Sequence, residues 1–340
     1  MKYSLLLLLL IITLGTNLSS KEKTDTATLL PFYDNNNYGY MSRSGIVILS
    51  PRFDWASDFK EGYAVIKIGN EYGYIDSSGK IVNQPIFTYA GNFSEGLAAV
   101  QSGDKKTGKY GFINRSGAYI IHPQYDSAGD FSNGLAYVKS KGLYGFVDKY
   151  GIVVINPQFG NIYNFSLPIS PVMTGDGTCK WGYINKKGAF IIKPQFDYAR
   201  PFKDGVACVR MGDEKTGKWG YIDTTGKFII EPQFANANNF DNGLAPVKSD
   251  TKWGFINKKG AIVIKLQFLE ANNFSEGFAA VKVKKDGIDQ WGYINTKGTF
   301  VIQPQFYSAY DFSNGLAKVF ITAQNYLKIT YVNTQGEIIR

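Results

Sequence analysis

The sequence predicts an all-β fold, a tandem array of about nine three-stranded antiparallel units, and three observations carry that prediction. An aromatic–glycine pair recurs at Tyr38-Gly39, Tyr72-Gly73, Tyr110-Gly111, Tyr144-Gly145, Trp181-Gly182, Trp219-Gly220, Trp253-Gly254 and Trp291-Gly292. Successive glycines are 34, 38, 34, 37, 38, 34 and 38 residues apart, and a period of that size dictates the architecture before any other signal is read. An Asn or Asp followed three places later by Gly recurs in step, from Asp76-Gly79 to Asn333-Gly336. The composition agrees: 37 Gly, 23 Tyr and 24 Phe against 4 Met favour strands and turns. A ninth, degenerate copy puts Ile329-Thr330 in the aromatic–glycine place and keeps Tyr331-Val332-Asn333 after it.

The chain opens on Lys2 and an apolar run from Leu5 to Ile12, extended by Leu14. Such a run is too short for a membrane span, which needs roughly 20 apolar residues. Followed by the small and polar residues Gly15 to Ser20 it reads as a secretory signal peptide over residues 1–20, cut somewhere between Gly15 and Lys23. No Cys lies nearby to accept a lipid. Residues 21–28 form a short linker, and residues 29–340 form one continuous repeat domain. No later segment is long and apolar enough to cross a membrane, so the reading is export to the periplasm, cell surface or exterior.

The sixth unit displays the elements of every unit. Val206-Ala207-Cys208-Val209 begins a first strand, Lys218-Trp219-Gly220-Tyr221-Ile222 is the second, and Phe228-Ile229-Ile230 is the third. Between the second and third, Asp223-Thr224-Thr225-Gly226 is a hairpin turn, with Asx capping its first corner and Gly in the left-handed position. Pro232-Gln233-Phe234 should end pairing, because Pro has no N–H for the ladder. A polar return through Ala237 and Phe240 leads to Gly243 and the next unit. Third strands carry three consecutive apolar residues, as in Tyr119-Ile120-Ile121, Phe190-Ile191-Ile192 and Ile262-Val263-Ile264, which predicts sheets buried on both faces. One unit could not bury such faces alone, so the array must fold as a stack.

Two closures fit. Nine three-stranded units exceed the usual propeller of 4–8 four-stranded blades. The array also starts on a first strand (Leu29 to Tyr33) and ends on a third (Ile338-Ile339), with no split blade to join them. These points favour an open curved solenoid, with a closed β-propeller as the alternative.

Composition excludes several chemistries. With 340 residues, the chain needs no metal or disulfide to supplement its core. Two Cys exclude a disulfide scaffold and a Cys-rich metal centre, and a single His excludes any site with two imidazoles. Gly212-Asp213-Glu214-Lys215-Thr216-Gly217-Lys218 matches a phosphate-binding loop pattern, nearly repeated from Gly103 to Lys109, but an aromatic and a strand follow where a hydroxyl and a helix are needed. It reads as a hairpin tip. His122 takes a place held elsewhere by Gln84, Asn156, Lys193, Glu231 and Gln303, which marks a solvated strand position. Cys179 and Cys208 are permitted to pair by export, but nothing in the sequence places them together. The carboxylates Asp54, Asp126, Asp197 and Asp204 are read as turn caps, and neither a glycosidase-like pair nor alternating Ca²⁺ ligands emerges. No catalytic, cofactor-binding or metal-ligating residue is assigned, and no cofactor is expected.

These residues resemble the bacterial WG-repeat family, also called KWG repeats. The resemblance rests on Lys180-Trp181-Gly182-Tyr183-Ile184-Asn185 with Pro194-Gln195-Phe196, and on Lys252-Trp253-Gly254-Phe255-Ile256-Asn257 with Gly243-Leu244-Ala245. It covers the chain after the signal segment. Departures are Tyr for Trp in the first four units, Leu266 in place of Pro, and Leu167-Pro168 where Gly should open the fifth unit. The resemblance implies an exported binding scaffold and brings no catalytic residue.

The seven pairs from Tyr72-Gly73 to Trp291-Gly292 are the expected structural anchors, with the aromatic packed between units and Gly admitting the next sheet closely. Trp253→Ala is then expected to cost about 3–5 kcal/mol. The distance from first strand to aromatic is bimodal, 6 residues (Ile66, Val138, Val247) or 9 to 10 (Val100, Val172, Val209, Val281), so the first hairpin tip is the variable edge and the expected recognition surface. Lysine pairs at Lys105-Lys106, Lys186-Lys187, Lys258-Lys259 and Lys284-Lys285 offer either a row of positive charge or edge protection, within a net charge of +9. The functional expectation is a non-enzymatic, monomeric interaction scaffold for a protein or an anionic envelope glycan, with nucleic acid excluded by export. An enzyme acting on cell-envelope polysaccharide through carboxylates on a concave face is the alternative, and a purely structural spacer a third.

Overall fold

A computed structural model describes residues 29–339 apart from 35, 166, 324 and 325; the expected signal peptide and linker lie outside the described residues. Every regular element among these residues is a β-strand, and every strand pair is antiparallel. In unit 6 the first, second and third strands are Val206–Met211, Lys218–Asp223 and Phe228–Phe234, joined in that order. The hairpin turn between the last two is as expected: Gly226 has φ 88°, and Asp223 Oδ1 accepts the N–H groups of Thr225 at 2.9 Å and Lys227 at 3.1 Å. Unit 1 uses Ser42 in that role, its Oγ accepting the Ile46 N–H at 3.1 Å.

Units 2 to 9 each have a fourth strand where three were expected, whereas unit 1 has three among the described residues. Tyr198–Ala199, in the polar return, pairs with the end of the first strand through Tyr198↔Arg210 and Ala199↔Val209. The equivalents are Trp55–Ala56, Tyr89–Ala90, Ser127–Ala128, Asn236–Ala237 and Ser308–Ala309. In unit 5 the third strand of unit 4 runs on to make this pairing itself, as Val153–Ile162. Two residues carry no period of their own, so alternation cannot reveal such a strand.

The third strand does not stop at Pro232. It runs past it through a register shift between Trp219 and Tyr221, and because it lies at the sheet edge the missing N–H costs no ladder bond. The shift explains Gly220. A Cβ there would lie 2.6 Å from Ile230 O and 2.7 Å from Pro232 N; Gly292 meets Ile302 O and Pro304 N in the same way. The close approach is therefore to the bulged strand of its own sheet, not to the next sheet.

Third strands are also wetter than expected. Ile191 and Ile262 are 50% and 53% exposed, whereas Ile192 and Ile264 are buried. First strands are buried on both faces, as in Val206 to Val209. Neighbouring sheets thus cover one another along their inner strands and leave the outer edge strand partly in water.

The cores lie between units. Tyr221 packs on Phe240, nineteen residues later in the return, with ring centroids 4.8 Å apart. The same offset recurs at Tyr40–Phe59, Tyr74–Phe93, Phe112–Phe131, Phe146–Phe165, Tyr183–Phe202, Phe255–Phe274 and Tyr293–Phe312. Where the first ring is Tyr, its hydroxyl donates to a carbonyl seventeen residues on, as Tyr74 to Gly91 O at 2.7 Å and Tyr221 to Asn238 O at 2.8 Å. Each ring pair fastens one unit to the return that opens the next.

The first and last units also touch. Leu30 and Met41 of unit 1 share a buried cluster with Leu316 and Tyr331 of unit 9. The Tyr331 hydroxyl donates to Pro31 O at 3.1 Å.

Candidate functional site

Antiparallel topology gives the units two ends. At one end lie the first-to-second hairpin tips and the crossings into the next short strand. At the other lie the Asx turns and the turns that open each unit, such as Glu95-Gly96.

The Asx-turn end is occupied with fastening. Glu61 straddles the next unit's opening turn, accepting Glu95 N–H at 2.7 Å and Gly96 N–H at 3.0 Å. Burial alone would raise its carboxyl, but Arg115 and these N–H groups together hold it below the usual range. Basic residues of four Asx turns reach back to the preceding unit's opening turn: Arg115 to Glu61 at 2.9 Å, Lys149 to Glu95 at 3.0 Å, Lys186 to Asn133 O and Lys258 to Asp204 O at 2.7 Å. Arg43 of unit 1 donates to Asn314 O of unit 9 in the same manner. The expected lysine row therefore divides: Lys186 and Lys258 are fasteners at this end, while Lys105-Lys106 and Lys284-Lys285 stand at the opposite one.

The tip end gathers aromatic and basic side chains. Strand register sets Tyr198, Arg210, Trp219 and Phe234 in one row across unit 6. The corresponding rows are Trp55, Lys67, Tyr72, Phe87 in unit 2 and Ser127, Lys139, Tyr144, Phe159 in unit 4. Lys139 Nζ lies 4.8 Å from the Tyr144 ring centre, a cation–π contact. The anchors Trp181, Trp219 and Trp291 are buried, whereas Tyr72, Tyr110, Tyr144 and Trp253 are half-buried. They pack between units and also border this end.

Units 5 and 6 hold the densest cluster. Rings run Tyr163–Trp181–Tyr198–Trp219 at successive centroid distances of 5.7, 5.3 and 5.5 Å, with the Tyr163 and Tyr198 hydroxyls hydrogen-bonded. Burial, then that bond, pushes Tyr163 up to about 12. The guanidinium groups of Arg200 and Arg210 lie 5.1 and 5.8 Å from the Trp219 ring centre. The Nε atoms of both are buried without a hydrogen-bond partner. Asp197, which feels Arg210, is already committed to Lys180 at 2.6 Å and to the Gly212 N–H at 2.8 Å. Two half-buried guanidinium groups thus lie against one indole, with their carboxylate neighbour engaged elsewhere. Arg200 and Arg210 escaped the sequence reading because each is a lone basic residue; the register that unites them crosses three strands.

The remaining expected sites fall out individually. Asp54, Asp126 and Asp197 cap hairpin tips, accepting the N–H groups of Gly69 at 2.6 Å, Lys141 at 2.9 Å and Gly212 at 2.8 Å. Asp204 sits in an opening turn at φ 53°. Gly212 to Lys218 is a hairpin tip closed by Asp213, whose carboxyl the Thr216 hydroxyl and neighbouring N–H groups lower to about 2. His122 is exposed. Cys179 is exposed at a tip and Cys208 buried, and both are free thiols. No three His, Cys, Asp or Glu side chains among the described residues converge as a metal site, and no helix among them is long and apolar enough to cross a membrane.

Fold and surface together define a β-repeat protein fastened unit to unit. A model of the WG-containing repeat matches residues 38–72, 72–105, 110–144, 144–176, 181–214, 219–253, 253–285 and 291–321. The chain belongs to that family. Among solved structures it is similar to a eukaryotic initiation factor, at 11% identity over 92% of this chain and 95% of that one, with a TM-score of 0.64. It is also similar to Porphyromonas gingivalis dipeptidyl peptidase 4, at 10% identity over 93% of this chain and 59% of that one, with a TM-score of 0.51. The β-propeller domain of the Trilobed protease from Pyrococcus furiosus is weaker, at 10% identity, 85% and 98% coverage and a TM-score of 0.44. These likenesses concern the fold alone. No curated protein sequence matches the chain.

Proposed function

We propose that the protein is an exported, non-catalytic binding ring whose tip end receives an anionic envelope glycan. The observation that carries this reading is the Arg200–Arg210 pair, half-buried against Trp219 and Tyr198 with buried, unpartnered Nε atoms. A polyanion would satisfy both guanidinium groups, and sugar rings would stack on the aromatic run beside them. The lysine-bearing tips would add long-range attraction. The residues at 1–20 support export by composition.

Closure of the array as a nine-bladed propeller, rather than an open solenoid, is part of the proposal. Four-stranded units are what a blade requires. An open array of nine units has eight interfaces, yet a ninth cluster joins unit 9 to unit 1. The Arg43 contact to Asn314 O repeats the fastening seen between ordinary neighbours. Lys203 also acts electrostatically on Asp311, three units further on, as expected where returns converge on a central axis. Against the polysaccharide-cleaving alternative, three of its four candidate carboxylates, Asp54, Asp126 and Asp197, are engaged in capping hairpin tips.

Titration of the whole chain with polygalacturonate and with a neutral glucan tests the ligand class. Retention of the acidic polymer alone, weakened by salt and lost in R200A/R210A while the melting temperature holds, is the expected result. Equal retention of both polymers refutes it, and soluble sugar released during incubation restores the enzymatic reading. In a C179S background, a short bismaleimide should bridge R43C and N314C within one chain; failure to do so in a folded protein favours the open array.

A further inference from the structure

We propose that a niche between units 2, 3 and 4, walled by Trp55, Tyr72 and Tyr89 and floored by Asp130, is a binding site for an organic ammonium head group. It encloses about 350 Å³. The walls are inclined to one another: Trp55 and Tyr72 are 6.2 Å apart at 70°, and Tyr72 and Tyr89 6.4 Å apart at 50°. Trp55 and Tyr89 are 41% and 43% exposed, so their faces stay open to a guest.

Two local substitutions within the repeat create the space. The first residue of the short strand is aromatic in two successive units, 2 and 3; unit 6 also has Tyr198 there, whereas it is Ser127, Asn236, Glu270 or Ser308 in units 4, 7, 8 and 9. Two residues on, Gly91 replaces the side chains carried there by Ser57, Arg200, Asn238, Asn272 and Tyr310. A Cβ at Gly91 would lie 3.1 Å from Asp130 Oδ1; its absence lets that carboxylate close the niche. Unit 4 also has a glycine there, Gly129, but the Tyr137 ring fills the room beside it. Among the described residues, two successive aromatic short strands meet an open glycine only at units 2 and 3.

Its chemistry selects a cation. Three ring faces present negative quadrupole. Asp130 is half-buried and has no hydrogen-bond partner among the described residues, and its ionised form is disfavoured by burial, with Lys60 only partly offsetting this. The fold already places one ammonium against these walls, Lys67 Nζ, 5.7 Å from the Tyr72 ring centre. A quaternary or primary ammonium guest would add cation–π contacts and neutralise Asp130, and the adjacent Asn92 carboxamide could orient a polar tail. The site stands apart from Arg200 and Arg210 and depends on neither ring closure nor the glycan.

Calorimetric titration of the full chain with choline, and with its uncharged isostere 3,3-dimethylbutan-1-ol, tests the proposal, with indole fluorescence as a second readout. One choline site should appear, with the isostere at least tenfold weaker. D130N should weaken choline at least tenfold without loss of melting temperature, G91S should block the niche, and R200A/R210A should leave binding intact. Equal affinity for the isostere, D130N binding unchanged, or N-acetylglucosamine binding where choline does not would overturn it.

Discussion

Phe240→Ala should be among the most damaging single truncations in the chain. The ring is fully buried, 4.8 Å from Tyr221 in the second strand of the preceding unit, and sits among Val206, Cys208, Ala237, Ala245 and Val247 from two successive units. Removing a phenyl group from such a place loses its transfer free energy and leaves a cavity, together about 3–5 kcal/mol. The surroundings are two sheets and a return held by backbone ladders, so little can collapse inward to reduce that cost. Trp253→Ala, at an anchor aromatic, should cost less than the sequence suggested, because that indole is half-buried at the tip end rather than enclosed. Urea unfolding of both variants, followed by far-ultraviolet circular dichroism, compares them directly. A loss below about 1 kcal/mol at Phe240, or a larger loss at Trp253, would refute the assignment of the inter-unit ring pair as the principal fastening.

Three further outcomes follow from the same geometry. Gly220→Ala forces a Cβ against backbone atoms 2.6 and 2.7 Å away, and chemical denaturation should show a loss of about 1–3 kcal/mol. Tyr221→Phe removes only the hydroxyl that donates to Asn238 O at 2.8 Å, so the same measurement should register about 0.5–1.5 kcal/mol; units 3, 4 and 7 already carry Phe112, Phe146 and Phe255 there. Asp130→Asn should stabilise the protein at neutral pH, because burial raises that carboxyl's pKa and folding then disfavours its charged form. The wild-type fold holds this proton more tightly than the unfolded chain. Its stability therefore falls as pH rises from the ordinary value of 3.8 through the raised one, and the variant's advantage in a thermal melt should vanish below pH 3.8.

The turns and the second and third strands were legible because each has a local cause: an Asx cap, a left-handed glycine, a run of β-branched residues. The constant nineteen-residue offset from Tyr221 to Phe240 was equally present in the sequence, and it marks the inter-unit contact that the more conspicuous aromatic–glycine pair obscures. What escaped detection is relational. A two-residue strand such as Tyr198–Ala199 exists only through its partner Val209. The exposure of Ile191 and Ile262 follows from which strand lies at the sheet edge, and three apolar residues in a row look alike at an edge or a centre. The tip-end cluster combines Arg200 from a return with Arg210 and Trp219 from two strands, a juxtaposition set by register.

The two ends of the units divide the labour of the sequence, and their charge shows how. At the Asx-turn end, basic residues bond carboxylates or carbonyls of the preceding unit, as Arg115 does Glu61 and Lys258 does Asp204 O. At the other end tip lengths vary, and there Lys109, Lys180 and Lys282 are paired with Asp126, Asp197 and Glu270 while Lys105-Lys106, Lys284-Lys285 and Arg210 also stand. Length variation there leaves the fastening untouched, because both ring pair and hydroxyl bond connect the second strand to the following return and never span the first hairpin. Such an arrangement lets successive units acquire different tips, and a niche as local as that above Asp130, without altering the contacts that hold unit to unit.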